Sequence, residues 1–210
     1  MTDTNQERTE DDKAAFLEQL RSSIGGAVNA PLPARDAVNQ AMIRHWSDAM
    51  TDFNPVYLDA DHAAKSAHGD IVAPPAMLNA WGMPGLIPSE AASKQRGVQV
   101  YADLDAAGYT SVVATNSEHT YNRYLKLGEL VHGSMSVVDV TAEKKTALGI
   151  GHFVTTRTEY TTASGEVIGA MTFRILKFKP GTGRMAHVAD SDGTATPRTS
   201  RPKPGVSRDN

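Results

Sequence analysis

Thr51-Asp52-Phe53-Asn54-Pro55-Val56-Tyr57-Leu58-Asp59 and Ile71-Val72-Ala73-Pro74-Pro75-Ala76-Met77 are the two runs on which the reading of this 210-residue chain turns. In the first, Asn54 precedes a proline, which disfavours helix at that residue, so Asp52 to Tyr57 reads as a loop. Its chemistry-bearing side chains are the carboxylate of Asp52 and the phenol of Tyr57. The second run opens a stretch from Ile71 to Pro88 with little polar face: Met77, Leu78, Trp81, Met83, Leu86 and Ile87 point all round a helix. Such a helix must be buried. Pro74 and Pro75 suit its first turn, where backbone N–H groups lack helical partners. Gly82, Pro84 and Gly85 stop or kink it after roughly two turns.

On the N-terminal side, Phe16, Leu17, Leu20 and Ile24 predict an amphipathic helix over Ala14 to Ile24. Thr9 and Asp12 can cap it, and Gly25-Gly26 ends it. Pro31 and Pro33 keep the next link extended. Asn39 starts a second helix, with Met42, Ile43, Trp46 and Met50 as its buried stripe. Ala60 to Ala67 forms a short helix closed by Gly69. From Val112 the apolar period becomes two. Strands are predicted over Val112–Lys126, Val131–Thr141, Leu148–Thr162 and Val167–Phe178, with Ala163-Ser164-Gly165 turning the last pair into a hairpin. Residues 1–12 are polar. Residues 180–210 have no aromatic and five Arg or Lys, and both ends are expected to be disordered around a domain of residues 13–179. Helices followed by antiparallel strands define an α+β class.

Apolar residues at 40% and charged residues at 21% are globular values, and a net charge of −3 gives no reason to expect nucleic acid. No apolar run approaches the roughly 20 residues that span a membrane. The polar start lacks the apolar stretch of a signal peptide. The chain has no cysteine, which removes disulfides, thiolate nucleophiles and cysteine zinc sites. No Gly-rich phosphate loop, metal motif or Gly-x-Ser-x-Gly elbow is present. The expectation is a cytoplasmic protein without metal or cofactor and without a membrane partner.

Taken together, these residues resemble the MaoC-like dehydratases, which are hot-dog-fold (R)-specific enoyl-CoA hydratases. That family carries Asp-x-Asn-Pro-[Ile/Leu/Val]-His-x-Asp, a small-residue helix, and Ile-[Val/Ala]-x-Gly-Met at the start of the central helix. Here the corresponding residues are Asp52 to Asp59, Ala63-Ala64, and Ile71 to Met77, with Gly128-Glu129 matching the family's strand-ending Gly-Asp or Gly-Glu. The likeness runs from Pro33 to Phe178. Ala37–Trp46 (AVNQAMIRHW) and Val113–Tyr124 (VATNSEHTYNRY) are similar to the MaoC-like part of the larger subunit of two-subunit steroid side-chain enoyl-CoA hydratases. The resemblance implies a hot-dog fold, an antiparallel curved sheet wrapped around a central buried helix.

It also implies a reaction, water addition to a 2-enoyl-CoA. In the family an Asp and a His share base and acid duties on the attacking water. A backbone N–H at the central helix start stabilises the thioester oxygen. Asp52 matches the family Asp, but Tyr57 stands at the His position, with an ordinary pKa near 10. Pro74 aligns with the glycine that offers the N–H, and proline has none. These departures mark Asp52 and Tyr57 as degenerate catalytic positions. Asp52 reads more simply as a cap on the loop, and Tyr57 as a packing residue. The resemblance places Asn54, Pro74, Met77, Trp81 and Met83 against substrate, and Arg123 and Lys126 near the CoA phosphates; a core helix and a solvated edge are the alternative readings. His62, His68, His132 and His152 read as structural or solvated, and His119 as near a pair interface.

The function implied is a non-catalytic or weakly catalytic subunit of a hetero-oligomeric hydratase. A small MaoC-like catalytic subunit is the implied partner, and a coenzyme A thioester with a bulky steroid side chain the implied substrate. In relatives of this kind the chain often continues into a zinc-ribbon and OB-fold domain that recruits a thiolase-like aldolase. The lack of cysteine here weighs against that recruitment by this chain. A self-sufficient homodimeric hydratase and an acyl-CoA thioesterase using Asp52 are the alternatives, with a binding scaffold as a third.

Overall fold

The computed structural model describes residues 9–25, 31–83 and 96–183. Helix α1 spans Glu10–Arg21 and opens on a reciprocal cap in which the Thr9 hydroxyl accepts from the Asp12 N–H at 3.1 Å. Its acids Glu10, Asp11 and Asp12 sit at the positive end of the helix dipole. Residues 9–12, expected to be disordered, are thus the start of α1, and its register begins four residues earlier than Ala14. Strand β1 is the pair Leu32–Pro33. Helix α2 is Gln40–Met50, capped by Asn39 as its sequence requires.

The buried stripe of α2 is Ile43 and Ser47, with Met42 and Trp46 half-buried; Met50 is 60% exposed. Met50 lies in the last turn, where Thr51 takes a left-handed conformation at φ 56° and turns the chain away from the core. Helix α3 (Pro55–Leu58) and helix α4 (Ala60–Lys65) follow, so Tyr57 sits in a single helical turn rather than in loop. Ile71 to Pro74 is extended, not helical. Prolines at 74 and 75 push the preceding residues out of the helical region. Val72 instead bridges Lys126, and the Ala73 N–H donates to Leu125 O at 2.8 Å. A 3-10 turn over Pro75–Met77 runs into helix α5, Leu78–Trp81. The remainder of the stretch expected to continue to Pro88 lies outside the described residues, as does the expected tail beyond Gly183.

Helix α6, Arg96–Ala106, was not anticipated. It buries Val100 and Leu104, one turn apart, over the sheet. Strands β2 (Ser111–Tyr121), β3 (His132–Val140), β4 (Lys144–Lys145), β5 (Ile150–Thr161) and β6 (Val167–Phe178) complete an antiparallel sheet ordered β1-β3-β5-β6-β2, with β4 on β5. Gly165, at φ 87°, makes the β5–β6 turn that the sequence predicts.

Val154 and Tyr160 lie an even number of residues apart on β5, so they share one sheet face. That face carries two cores side by side. Leu20, Val100, Leu104, Tyr109, Val137, Val154 and Ile175 form one under α1 and α6. Ile43, Tyr57, Ile71, Val72, Met77, Leu78, Trp81 and Tyr160 form the other. In the second core α5 lies directly on the strands. A Cβ on Gly169 would stand 2.4 Å from Thr120 O and 2.9 Å from Leu78 Cδ2, so only glycine lets β2, β6 and Leu78 close together.

Candidate functional site

The site forms where the Asp52 turn, the Pro74-Pro75 turn and the end of β2 meet. Asp52 follows the left-handed Thr51, and its N–H donates to Ser47 O at 2.9 Å. Asp52 Oδ1 accepts from the Asn54 N–H at 3.3 Å, and Asn54 Oδ1 from the Val56 N–H at 3.2 Å. Both side chains therefore tie the turn together, and Asn54 caps α3. Tyr57 is only 5% exposed, and its carbonyl accepts from Gln40 Nε2 at 2.9 Å. Burial raises the phenol's pKa, and Tyr124 and Asp52 push it further the same way. It stays neutral at pH 7 and can donate a hydrogen bond; it is no base there.

Pro74 and Pro75 supply no N–H, and that of Ala73, just before them, is committed to Leu125 O. The opening of the turn thus presents no amide donor through residue 75. Met77 and Trp81 are sealed in the core, and Met83 is 58% exposed. None of the three, which the resemblance places against substrate, lines the cleft beside the prolines. The turn directs Leu78 there instead.

The cleft is walled by Ala73, Pro74, Pro75, Leu78, Tyr121, Arg123, Tyr124, Leu125 and Ile168. It arises because β2 ends at Tyr121 rather than at the predicted Lys126. After Asn122 donates to Ile168 O at 2.8 Å, the chain leaves β6 and turns to pair with Val72 and Ala73. Arg123 fixes this departure. Its Nε and Nη2 donate to Glu166 at 2.8 Å each, and Nη2 and Nη1 to Glu129 at 2.7 and 2.9 Å. Nη1 also donates to Tyr124 O at 3.0 Å. The five donors of the guanidinium are thus all engaged. Burial alone would raise the pKa of Glu129, but hydrogen bonds from Arg123 and the Lys126 N–H outweigh it and hold the carboxyl below its ordinary value. Arg123 lowers Glu166 likewise. The Lys126 side chain is exposed.

The sequence reading missed two ring pairs at this cleft. His68 stacks on Tyr124 with centroids 4.7 Å apart, and His119 on Tyr121 at 5.9 Å. His119 Nε2 also meets Ser117 Oγ at 2.7 Å. Ser117, His119 and Tyr121 occur at every second residue, so strand alternation alone could have put them on one face. A larger cavity beside α1 is lined by Lys13, Phe16, Tyr109, Glu143 and His152 and contains none of these residues. Among the described residues no three His, Asp or Glu side chains group as metal ligands, and no helix is long and apolar enough to cross a membrane.

Comparison with known proteins places the chain in a family. Residues 25–171 match the family model described as FAS1-like, dehydratase domain region. The chain belongs to this dehydratase-region family and has the hot-dog α+β fold of the MaoC-like hydratases. It is 42% identical over 170 residues to the 3-oxo-4,17-pregnadiene-20-carboxyl-CoA hydratase alpha subunit of Mycobacterium tuberculosis, covering 81% of this chain and 54% of that protein. It is 37% identical over 197 residues to a probable enoyl-CoA hydratase alpha subunit of Thermomonospora curvata, covering 93% of this chain and 60% of that one. The chain therefore spans little more than half the length of these curated relatives. A chain of the ChsH1-ChsH2 complex from Mycobacterium tuberculosis superposes with a TM-score of 0.71 at 40% identity, covering 81% of this chain and 98% of that one.

Proposed function

We propose that this chain is a non-catalytic or weakly catalytic subunit of a hetero-oligomeric enoyl-CoA hydratase. The observation that carries the reading is the pairing of a buried, neutral phenol at Tyr57 with a turn that has no N–H at Pro74 and Pro75. The similarity to proteins named hydratase alpha subunits, and to a chain of a two-component complex, supports it.

In this reading a small MaoC-like partner supplies the Asp, the His and the oxyanion N–H. Water adds across the enoyl double bond there: oxygen bonds the β carbon, and a proton goes to the α carbon. The substrate is a 2-enoyl-CoA with a bulky, steroid-like acyl group. The partner docks beside β2, an eleven-residue strand at the end of the sheet whose outer edge has no described neighbour. The opposite edge is blunted by the two-residue β1 and Pro33. Lys126, exposed and next in sequence to Leu125 of the cleft, would meet a CoA phosphate.

Co-expression with a small MaoC-like subunit, gel filtration and a hydratase assay test the proposal. A stable pair that hydrates a steroid enoyl-CoA, where this chain alone does not, is the expected result. Two proteins that elute separately and show no joint activity would refute it.

A further inference from the structure

We propose that Met50 and Phe53, on either side of the Thr51-Asp52 turn, anchor this chain to its catalytic partner, which meets them with an apolar recess rimmed by Lys or Arg. The inference rests on the reading above and deepens it: it names a contact surface apart from the β2 edge, and the chemistry of the partner that fits it.

Met50 belongs to the inward stripe of α2. Ile43, Ser47 and Met50 fall at i, i+4 and i+7, one face of a helix. Ile43 and Ser47 are fully buried, whereas Met50 is 60% exposed. The core therefore stops short of the stripe's last position. Phe53, three residues on, is 59% exposed. A single exposed apolar side chain is ordinary. Two large ones flanking one turn are of the residue types that protein interfaces bury.

The turn between them is strained and tied down. Thr51 is β-branched and left-handed at φ 56°, a conformation that glycine takes freely and threonine does not. The Asp52 N–H donates to Ser47 O, and the Asn54 N–H to Asp52 Oδ1. Backbone and carboxylate thus fix the turn without packing Met50 or Phe53 into the core. Strain held in this way is a mark of binding surfaces, where it presents side chains in one orientation.

Charge decides the occupant. Between Arg44 and Lys65 the sequence has four acids, Asp48, Asp52, Asp59 and Asp61, and no Lys or Arg. All four are exposed. Two copies of this chain meeting through the turn would share an isologous interface and set these acids against themselves. A different chain, with Lys or Arg round an apolar recess, meets attraction there instead. The turn also adjoins the proposed docking strand. Asp52 and Tyr124 both act on the Tyr57 phenol, and Tyr124 lies three residues past the end of β2. One partner paired along β2 therefore reaches Met50 and Phe53.

Equilibrium binding of the full chain to a small MaoC-like subunit tests this, with sedimentation and a melting curve of each variant alone. Met50→Ser and Phe53→Ser are each expected to weaken the pair by about tenfold or more. The Tm of the isolated chain should stay within about 2 °C, because both side chains are already in water. Asp52→Asn keeps the oxygen that accepts from Asn54, and is expected to slow association and flatten its salt dependence. Val138→Ser on β3, 42% exposed, leaves binding unchanged. Pairing of the Met50 and Phe53 variants at full strength would overturn the anchor and leave the reading above intact. No pair with the unaltered chain would overturn both. Self-association of the isolated chain that Phe53→Ser abolishes would assign the turn to a second copy, and a Tm lowered by several degrees would assign it to internal packing; each of these results also overturns the anchor.

Discussion

The Ala73 N–H donates to the Leu125 carbonyl at 2.8 Å, so the last amide before Pro74 and Pro75 is closed inside the chain. An oxyanion at positions 74 and 75 would meet two imino acids, neither of which has an N–H to donate. Losing one such donor typically lowers a rate by about 100- to 1000-fold. Tyr57→His restores an imidazole but no amide. The isolated variant is therefore expected to hydrate crotonyl-CoA no faster than unaltered protein, within about threefold on the same scale of effects. A spectrophotometric assay of the thioester enone reads this directly.

The Arg123 clamp has a pH signature. Glu129 has a folded pKa below its unfolded value, near 4.3. Its contribution is complete above that value and is lost as pH falls through the depressed folded one. With both partners partly exposed, the Arg123–Glu129 pair is assigned about 1 kcal/mol at pH 7. Arg123→Met should cost that much in urea unfolding at pH 7, and the gap to unaltered protein should shrink as pH drops below the ordinary glutamate range. A gap that is constant with pH would show that the carboxylates do not act through Arg123.

Gly169→Ala places a methyl group 2.4 Å from Thr120 O and 2.9 Å from Leu78. The backbone of β2 cannot yield as a side-chain tip can. Overpacking of this kind costs about 2–3 kcal/mol, a fall in Tm of roughly 5–10 °C for a domain of this size.

Thr51 is the described non-glycine residue with positive φ, at 56°. A β-branched side chain there is strained by about 1–2 kcal/mol. Thr51→Gly relieves this at the cost of a looser unfolded chain, for a net gain of about 0.5–1 kcal/mol in denaturant melts. If the variant is instead less stable, the Thr51 side chain makes a compensating contact in solution.

What could be read from the sequence divides along physical lines. Caps and turns are local, so Thr9, Asn39 and Gly165 were legible at once. The strand over Val167–Phe178 followed, since its hairpin partner is next to it in sequence. Helix α6 was hidden because Val98-Gln99-Val100-Tyr101 alternates like a strand and Gly97 disfavours helix. Burial of Val100 and Leu104 over the sheet overrides both signals. The end of β2 was placed too late because nothing in residues 122–126 announces that their partner changes from β6 to Val72. At the site, the missing donor was visible, since proline lacks an N–H in any context. The grouping of Tyr121, Arg123 and Tyr124 was not, because Glu166, which holds it, lies 43 residues beyond Arg123.

The measurement that bears most directly on the account is steady-state hydration of a 2-enoyl-CoA by this chain purified alone. The account predicts background turnover, unchanged by Tyr57→Phe, and restored turnover when a small MaoC-like subunit is added. Rapid hydration by the isolated chain, abolished by Tyr57→Phe, would contradict it.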